Sequence, residues 1–138
     1  MQIREIMTRE VELLSPDDTI QQAARRMRDE DIGSLPVAEN DRLVGYVTDR
    51  DIVVRGLADA RGPDLKVREV MTERVLYCFD DERVEDVAAN MAKNQVRRLP
   101  VLTREKRLVG IVALGDIATK AGEEPAEDAL EGISRSTS

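Results

Sequence analysis

Apolar residues recur in both halves of the chain at the spacing of an amphipathic helix. They fall at i, i+3, i+4 and i+7, which places them on one helical face. Two sets share this spacing: Ile20, Ala23, Ala24 and Met27 in the first half, and Val84, Val87, Ala88 and Met91 in the second. The pattern predicts one helix in each half, with a face that must be buried.

Shorter apolar stretches, bounded by turn-forming residues, predict strands on either side of these helices. The first half has strands at 11–14, 35–38 and 43–48 and a second helix at about 49–57; the second half has strands at 75–79, 99–102 and 108–113 and a helix near 114–120. Each half thus has the order strand, helix, strand, strand, helix, and the predicted fold class is α/β.

The two halves are copies of one another. The sequence Arg-Glu-Ile-Met-Thr at 4–8 recurs as Arg-Glu-Val-Met-Thr at 68–72, a shift of 64 residues. The Leu-Pro-Val stretch at 35–37 recurs at 99–101 with the same shift. So many matches at one shift indicate an internal repeat.

The repeats are predicted as residues 1–60 and 61–121, with a connector at 58–66. Because a unit of about 60 residues buries little surface, each repeat is expected to need the other. The acidic tail at 122–138 is expected to be disordered, with a short helix at 126–130 as the minor alternative.

Composition limits the functions open to the chain. The formal net charge of -7 and the presence of only two tyrosines and one phenylalanine argue against a nucleic-acid partner. No histidine is present to act as a general base or metal ligand, and no phosphate-binding loop motif occurs. The sequence therefore predicts a protein that is not an enzyme and has no metal site.

The sequence also indicates the cellular compartment in which the protein is expected. One cysteine cannot form an internal disulfide. No apolar run approaches the roughly 20 residues that a membrane span requires. We expect a cytoplasmic protein that does not bind membranes.

The stretch Gly45-Tyr46-Val47-Thr48-Asp49-Arg50-Asp51 leads from a strand into a helix and carries the main candidate chemistry. Thr48 and Asp51 have the spacing of a capping box, which satisfies free N–H groups at a helix start. The same hydroxyl also suits a phosphate, and the carboxylate suits the two hydroxyls of a ribose. The two interpretations are compatible, and both stay open.

The second repeat keeps Asp116 but has Ala113 at the position of the threonine. A second site is therefore predicted to be weaker or absent. Arg97 and Arg98 occupy the positions that hold Gly33 and Ser34 in the first repeat. Guanidinium groups there suit phosphate oxygens, whereas the structural alternative is a solvated strand start.

The duplicated Met-Thr opening, Leu-Pro-Val strand and Gly-x-x-Thr-x-x-Asp turn resemble the CBS-domain family over roughly residues 3–121. The resemblance implies two βαββα repeats packed about a pseudo-two-fold axis, usually in a homodimer. It also implies a small-molecule ligand such as AMP, ADP, ATP, NAD or S-adenosylmethionine, and no required cofactor.

The family resemblance further implies which residues bind this ligand. The first cleft would be formed by Gly45, Tyr46, Thr48 and Asp51 from one repeat and Leu76, Val96, Arg97 and Arg98 from the other, with the base against Tyr46, Leu76 and Val96. A weaker mirror cleft would be formed by Ile32, Gly33, Ser34 and Asp116. Two functions stay open: a nucleotide sensor that acts on an unidentified partner protein by conformational change, and a ligand-free module for dimerisation and docking.

Overall fold

The computed structural model describes residues 1–121, so the expectations for the tail at 122–138 and for a helix at 126–130 lie outside the described residues. The chain divides into two compact units. One is the continuous stretch Glu12–Val75, and the other joins Met1–Val11 to the chain from Leu76 onward. These limits are offset from the repeat limits predicted at 1–60 and 61–121, which remain a prediction about the duplication.

The continuous unit contains one long helix, a strand pair and a second helix. Its elements are α1 (Ile20–Glu30), β1 (Ser34–Glu39), β2 (Arg42–Thr48), the short α2 (Asp49–Asp51), a π-helical segment (Ile52–Leu57) and a 3-10 turn (Val67–Glu69). β1 and β2 are antiparallel. The second helix predicted at 49–57 is thus one α-helical turn that continues as a wider π-helix.

The discontinuous unit has a long helix, a strand pair and a second helix in the same order, but its 3-10 turn comes first and an additional strand precedes the long helix. Its elements are a 3-10 turn (Ile3–Glu5), β3 (Cys78–Phe79), α3 (Val84–Asn94), β4 (Arg98–Leu102), β5 (Leu108–Ala113), α4 (Leu114–Asp116) and a π-helical segment (Ile117–Ala121). The sheet order is β3-β4-β5, with β3 parallel to β4 and β4 antiparallel to β5.

The first predicted strand of each repeat is much shorter than expected. The strand predicted at 11–14 is wrong except for one parallel bridge between Leu14 and Val37, and the one predicted at 75–79 is reduced to β3. Proline explains why the first repeat has a single bridge where the second has a two-residue strand. Asp80 N–H donates to the Leu102 carbonyl at 2.8 Å, whereas Pro16, at the matching position, has no N–H to donate.

The helical periodicity correctly predicted the buried faces. In the continuous unit the core is Leu14, Ile20, Ala23, Met27, Leu35, Val37, Val47, Val67 and Val70. In the other unit it is Ile3, Ile6, Met7, Cys78, Val84, Val87, Ala88, Met91, Leu99, Val101, Val112 and Ile117. Ala24 is the exception, because it lies exposed at the edge of the apolar face of α1.

Each unit includes the opening segment of the other repeat. In the continuous unit Ile20 N–H donates to the Leu65 carbonyl at 2.8 Å, and in the other unit Val84 N–H donates to the Met1 carbonyl at 3.0 Å. Leu65 belongs to the second repeat, while Met1 belongs to the first. The opening segments are therefore exchanged between the repeats, and the connector predicted at 58–66 ends inside a packed unit.

A glycine in the second strand of each pair allows the exchanged segment to pack closely. A Cβ at Gly45 would lie 2.5 Å from Met71 Sδ, and a Cβ at Gly110 would lie 2.7 Å from Met7 Sδ and 2.9 Å from the Thr8 carbonyl oxygen. A backbone oxygen cannot move aside as a methionine side chain can. The requirement for glycine is therefore stricter at Gly110.

The exchange predicts that the limits of a fragment decide whether it folds. A fragment of residues 12–75 keeps Val67 and Val70, which fill the core of the continuous unit, whereas a fragment of residues 1–60 lacks both. We expect the first fragment to show more helical circular dichroism and more slowly exchanging amides than the second. Equal disorder in both fragments, or better order in 1–60, would contradict this assignment of units.

The glycine packing predicts a specific loss of stability. Gly110→Ala is expected to lower the free energy of unfolding by about 1–3 kcal/mol, because the new methyl group overlaps Met7 and the Thr8 carbonyl. Gly115→Ala is the matched control, since a Cβ there meets no atom within 4 Å. Urea unfolding of both variants checks the prediction, which fails if the two substitutions have the same effect.

Candidate functional site

The turn from β2 into α2 contains a complete capping box. Asp51 N–H donates to Thr48 Oγ1 at 3.0 Å, and Thr48 N–H donates to Asp51 Oδ2 at 2.9 Å. Both residues are half-buried. The structural interpretation of these two side chains is therefore confirmed.

The capping box leaves some hydrogen-bonding groups of Thr48 and Asp51 without a partner among the described residues. A carboxylate has two acceptor oxygens, and a hydroxyl that accepts a hydrogen bond can still donate its own proton. Among residues 1–121, nothing donates to Asp51 Oδ1, and Thr48 Oγ1 donates to no acceptor. One oxygen and one O–H group therefore remain for a ligand after the cap has formed.

The preceding residues of this turn have structural partners. Gly45 is buried against Met71, so its role in the unit is close packing. Tyr46 exchanges backbone hydrogen bonds with Thr72 at 2.9 and 2.8 Å. The Tyr46 hydroxyl shares a hydrogen bond of 3.1 Å with Ser34 Oγ, which sequence reasoning did not predict.

Residues assigned from sequence to the mirror cleft lie beside this turn. Ser34 pairs with Thr48 across β1 and β2, and Asp49 N–H donates to the Gly33 carbonyl at 2.9 Å. Ile32, by contrast, packs against the core of the unit. The continuous unit thus brings together residues that the sequence had assigned to two different clefts.

The arginine pair lies in the other unit, next to the second copy of the turn. Leu114 N–H donates to the Arg97 carbonyl at 3.0 Å, and Arg98 pairs with Ala113 across β4 and β5. Arg97 is exposed and Arg98 is half-buried. Neither guanidinium is engaged by a hydrogen bond or ion pair with the described residues, so both are available to an anion.

Two apolar candidates in this unit differ in exposure. Leu76 has a relative exposure of 46%, which leaves its side chain open to contact. Val96 is partly buried and packs against the core formed with α3. Its assignment from sequence therefore has a structural alternative.

The second copy of the turn has only half of a capping box. Ala113 N–H donates to Asp116 Oδ2 at 2.9 Å, but Ala113 has no side-chain oxygen to accept in return. The other oxygen, Asp116 Oδ1, lies 3.8 Å from Lys120 Nζ. This lysine was missed at the sequence level, although its i, i+4 spacing from Asp116 was a usable signal.

Comparison with known proteins identifies the family. The family model described as the CBS domain matches the chain twice, over residues 3–57 and 67–123. The chain belongs to the CBS-domain family. The duplication found in the sequence is therefore a pair of CBS domains, and the α/β fold class with two CBS repeats is confirmed.

Individual CBS-domain proteins resemble most of the chain. The CBS domain-containing protein YhcV of Bacillus subtilis is 41% identical over 133 residues, which cover 96% of this chain and 94% of that protein. A crystal structure of Hypoxic Response Protein I with two coordinated zinc ions has a TM-score of 0.77 and 38% identity, and covers 87% of this chain and 98% of that one.

A third CBS protein was solved with ligands. The CBS domain pair of protein MJ0100, in complex with 5′-methylthioadenosine and S-adenosyl-L-methionine, has a TM-score of 0.72 and 29% identity. The match covers 86% of this chain and 93% of that chain. Both ligands named for that protein contain an adenosine group.

Other reactive groups in this CBS pair are sparse. Cys78 is buried, and burial first, then the charges of Glu82 and Asp80, raise the pKa of its thiol to about 12. Within the described part of the chain, no three His, Cys, Asp or Glu side chains are placed to hold a metal ion. No helix in residues 1–121 is long and apolar enough to cross a membrane.

The two turns predict opposite effects of a single hydroxyl group. Thr48→Ala removes the acceptor for Asp51 N–H and is expected to lower the free energy of unfolding by about 1 kcal/mol. Ala113→Thr supplies the missing acceptor and is expected to raise it by a similar amount. Urea unfolding without nucleotide measures both, and shifts of the same sign would contradict the capping assignment.

Proposed function

We propose that this CBS-domain pair is a regulatory, non-catalytic module that binds an adenosine nucleotide of the AMP or ATP type. The observation that carries the proposal is the carboxylate of Asp51, of which one oxygen closes the capping box and the other is unused. That box holds the side chain in one orientation before a ligand arrives, and such preorganisation lowers the entropy cost of binding.

The ribose is the group that Asp51 suits. Two neighbouring hydroxyls can both donate to one carboxylate, and hydrogen bonds to a charged acceptor are stronger than those to a neutral one. The adenosine compounds named for the MJ0100 structure support a ligand with this sugar. AMP, ADP and ATP are the leading ligands, with NAD and S-adenosylmethionine as alternatives.

The groups proposed to suit a phosphate are the O–H of Thr48 and, in the other unit, the guanidiniums of Arg97 and Arg98. The support is chemical: the Thr48 O–H donates no hydrogen bond, and both guanidinium groups lack an anionic partner among the described residues. Arginine binds phosphate oxygens in a fork because its N–H groups are fixed in one plane. Tyr46, Leu76 and Val96 are the side chains proposed to suit a base, and Leu76 is the most exposed of them.

Regulation would follow from differential affinity. A ligand shifts a conformational equilibrium only as far as it binds one state better than another. We propose that the occupied module, as a homodimer, changes its contacts with a partner protein that it regulates. No catalytic step is assigned to it, because the sequence has no histidine and no phosphate-binding loop motif, and its single cysteine is buried.

A second candidate function is a ligand-free docking module. It is favoured by the π-helical segment, on which Val53, Val54 and Leu57 have relative exposures of 53%, 46% and 69%. Apolar side chains grouped on a surface indicate a site of protein contact. In that case Thr48 and Asp51 would act only as a cap.

Isothermal titration with AMP, ATP, NAD and S-adenosylmethionine distinguishes the two functions. We expect one ligand per chain to bind, and Asp51→Ala to weaken binding at least tenfold, since hydrogen bonds to a charged group contribute about 1.5–3 kcal/mol. Asp51→Asn keeps an oxygen for the cap but loses the charge, and should also weaken binding.

Asp49→Ala is the matched control. Asp49 is an exposed carboxylate two residues away, and its Oδ1 accepts a hydrogen bond from Arg50 N–H. Its removal should leave affinity unchanged. Unchanged binding by Asp51→Ala, or no binding of any of the four ligands to the original protein, would reject the sensor and favour the docking module.

A further inference from the structure

The second helices of the two repeats anchor their basic residues in the same way. Arg55 donates from its guanidinium to the Val70 carbonyl at 3.2 Å, and Lys120 donates from Nζ to the Ile6 carbonyl at 3.2 Å. Val70 and Ile6 are matching positions in the duplicated opening segments. Each basic side chain therefore fixes the second helix to the opening segment within its own unit.

The two basic residues differ in their relation to the nearby carboxylate. Lys120 Nζ lies 3.8 Å from Asp116 Oδ1, on the oxygen that the backbone does not use. Arg55, at the matching position, forms no ion pair with Asp51 among the described residues. The same carboxylate oxygen is thus open in the first repeat and next to an ammonium group in the second.

We infer that Lys120 is a specificity-determining residue that weakens ribose binding at Asp116, so that the pair takes up its ligand preferentially at Asp51. This inference rests on the proposed function. Ribose hydroxyls are neutral donors. At Asp116 they must compete with the positively charged Lys120 Nζ for the same carboxylate oxygen. The side chain of Asp116 is only 18% exposed, so water screens this attraction less than it would on an open surface.

The anchoring of Lys120 strengthens the effect. Because Nζ also donates to the Ile6 carbonyl, the ammonium group is held near Asp116 at a smaller entropy cost than a free lysine would pay. The pair is nevertheless half open to solvent on the lysine side, at 48% exposure. The expected effect on affinity is therefore a factor of about three to five, within the range of partly exposed ion pairs.

The test uses 5′-methylthioadenosine, which carries the ribose hydroxyls but no phosphate that Lys120 could attract. Titrations of the full chain compare Lys120→Met with the original protein. We expect Lys120→Met to strengthen binding at a second site about three- to fivefold and to leave the Asp51-dependent site unchanged. Asp116→Ala introduced into Lys120→Met should remove the gain.

Arg55→Met is the matched control, because Arg55 has the same carbonyl anchor but does not pair with Asp51. It should not change affinity at the Asp51-dependent site. Thermal unfolding of both methionine variants shows whether loss of the anchor has disturbed the fold. Lys120→Arg supplies a second variant that keeps both the carbonyl donor and the positive charge, and it should give no gain.

The outcomes separate this inference from the proposed function. If Asp51→Ala loses binding while Lys120→Met titrates like the original protein, or if the gain persists without Asp116, the role of Lys120 is overturned and the sensor stands. If Asp51→Ala binds as well as the original protein, the proposed site is overturned. If 5′-methylthioadenosine binds neither the original protein nor Lys120→Met, the role of Lys120 is overturned, whereas the proposed function is rejected only if AMP, ATP, NAD and S-adenosylmethionine also fail to bind.

Discussion

Each compact unit depends on one close contact, in which a methionine and the backbone that follows it pack against a glycine. Gly45 receives Met71, and Gly110 receives Met7. In both cases the methionine comes from the repeat that does not supply the glycine. Since neither repeat contains both partners, each compact unit needs a segment from each of the two repeats.

This packing also positions the candidate chemistry. Gly45 lies three residues before Thr48 on β2, so the contact that fixes the strand against Met71 also fixes the start of the turn. The box between Thr48 and Asp51 then sets the orientation of both side chains. A carboxylate used this way can serve stability and recognition together, because each role takes a different oxygen.

Sequence periodicity was sufficient for the helices and for the capping box, because both depend on local spacing. It failed where the decisive neighbour is distant in sequence. The bridge at Leu14 does not continue toward Pro16, which has no N–H to donate, and the exchange of opening segments depends on pairings such as Val84 with Met1. The position of Lys120 beside Asp116 required coordinates, since i, i+4 spacing alone does not show which carboxylate oxygen is already used.

The divergence between the repeats follows a physical rule. Some groups that stabilise each unit are kept in both copies, including the carbonyl anchors made by Arg55 and Lys120. The differences include the hydroxyl of Thr48, which caps α2 and occurs in the first repeat only. They also include the guanidiniums of Arg97 and Arg98, which occur in the second repeat only and have no partner among the described residues. A duplication kept for stability alone has no reason to separate its unused polar groups in this way. Guanidinium groups without a partner suit an anionic ligand, and this favours the proposed sensor over a module that only docks.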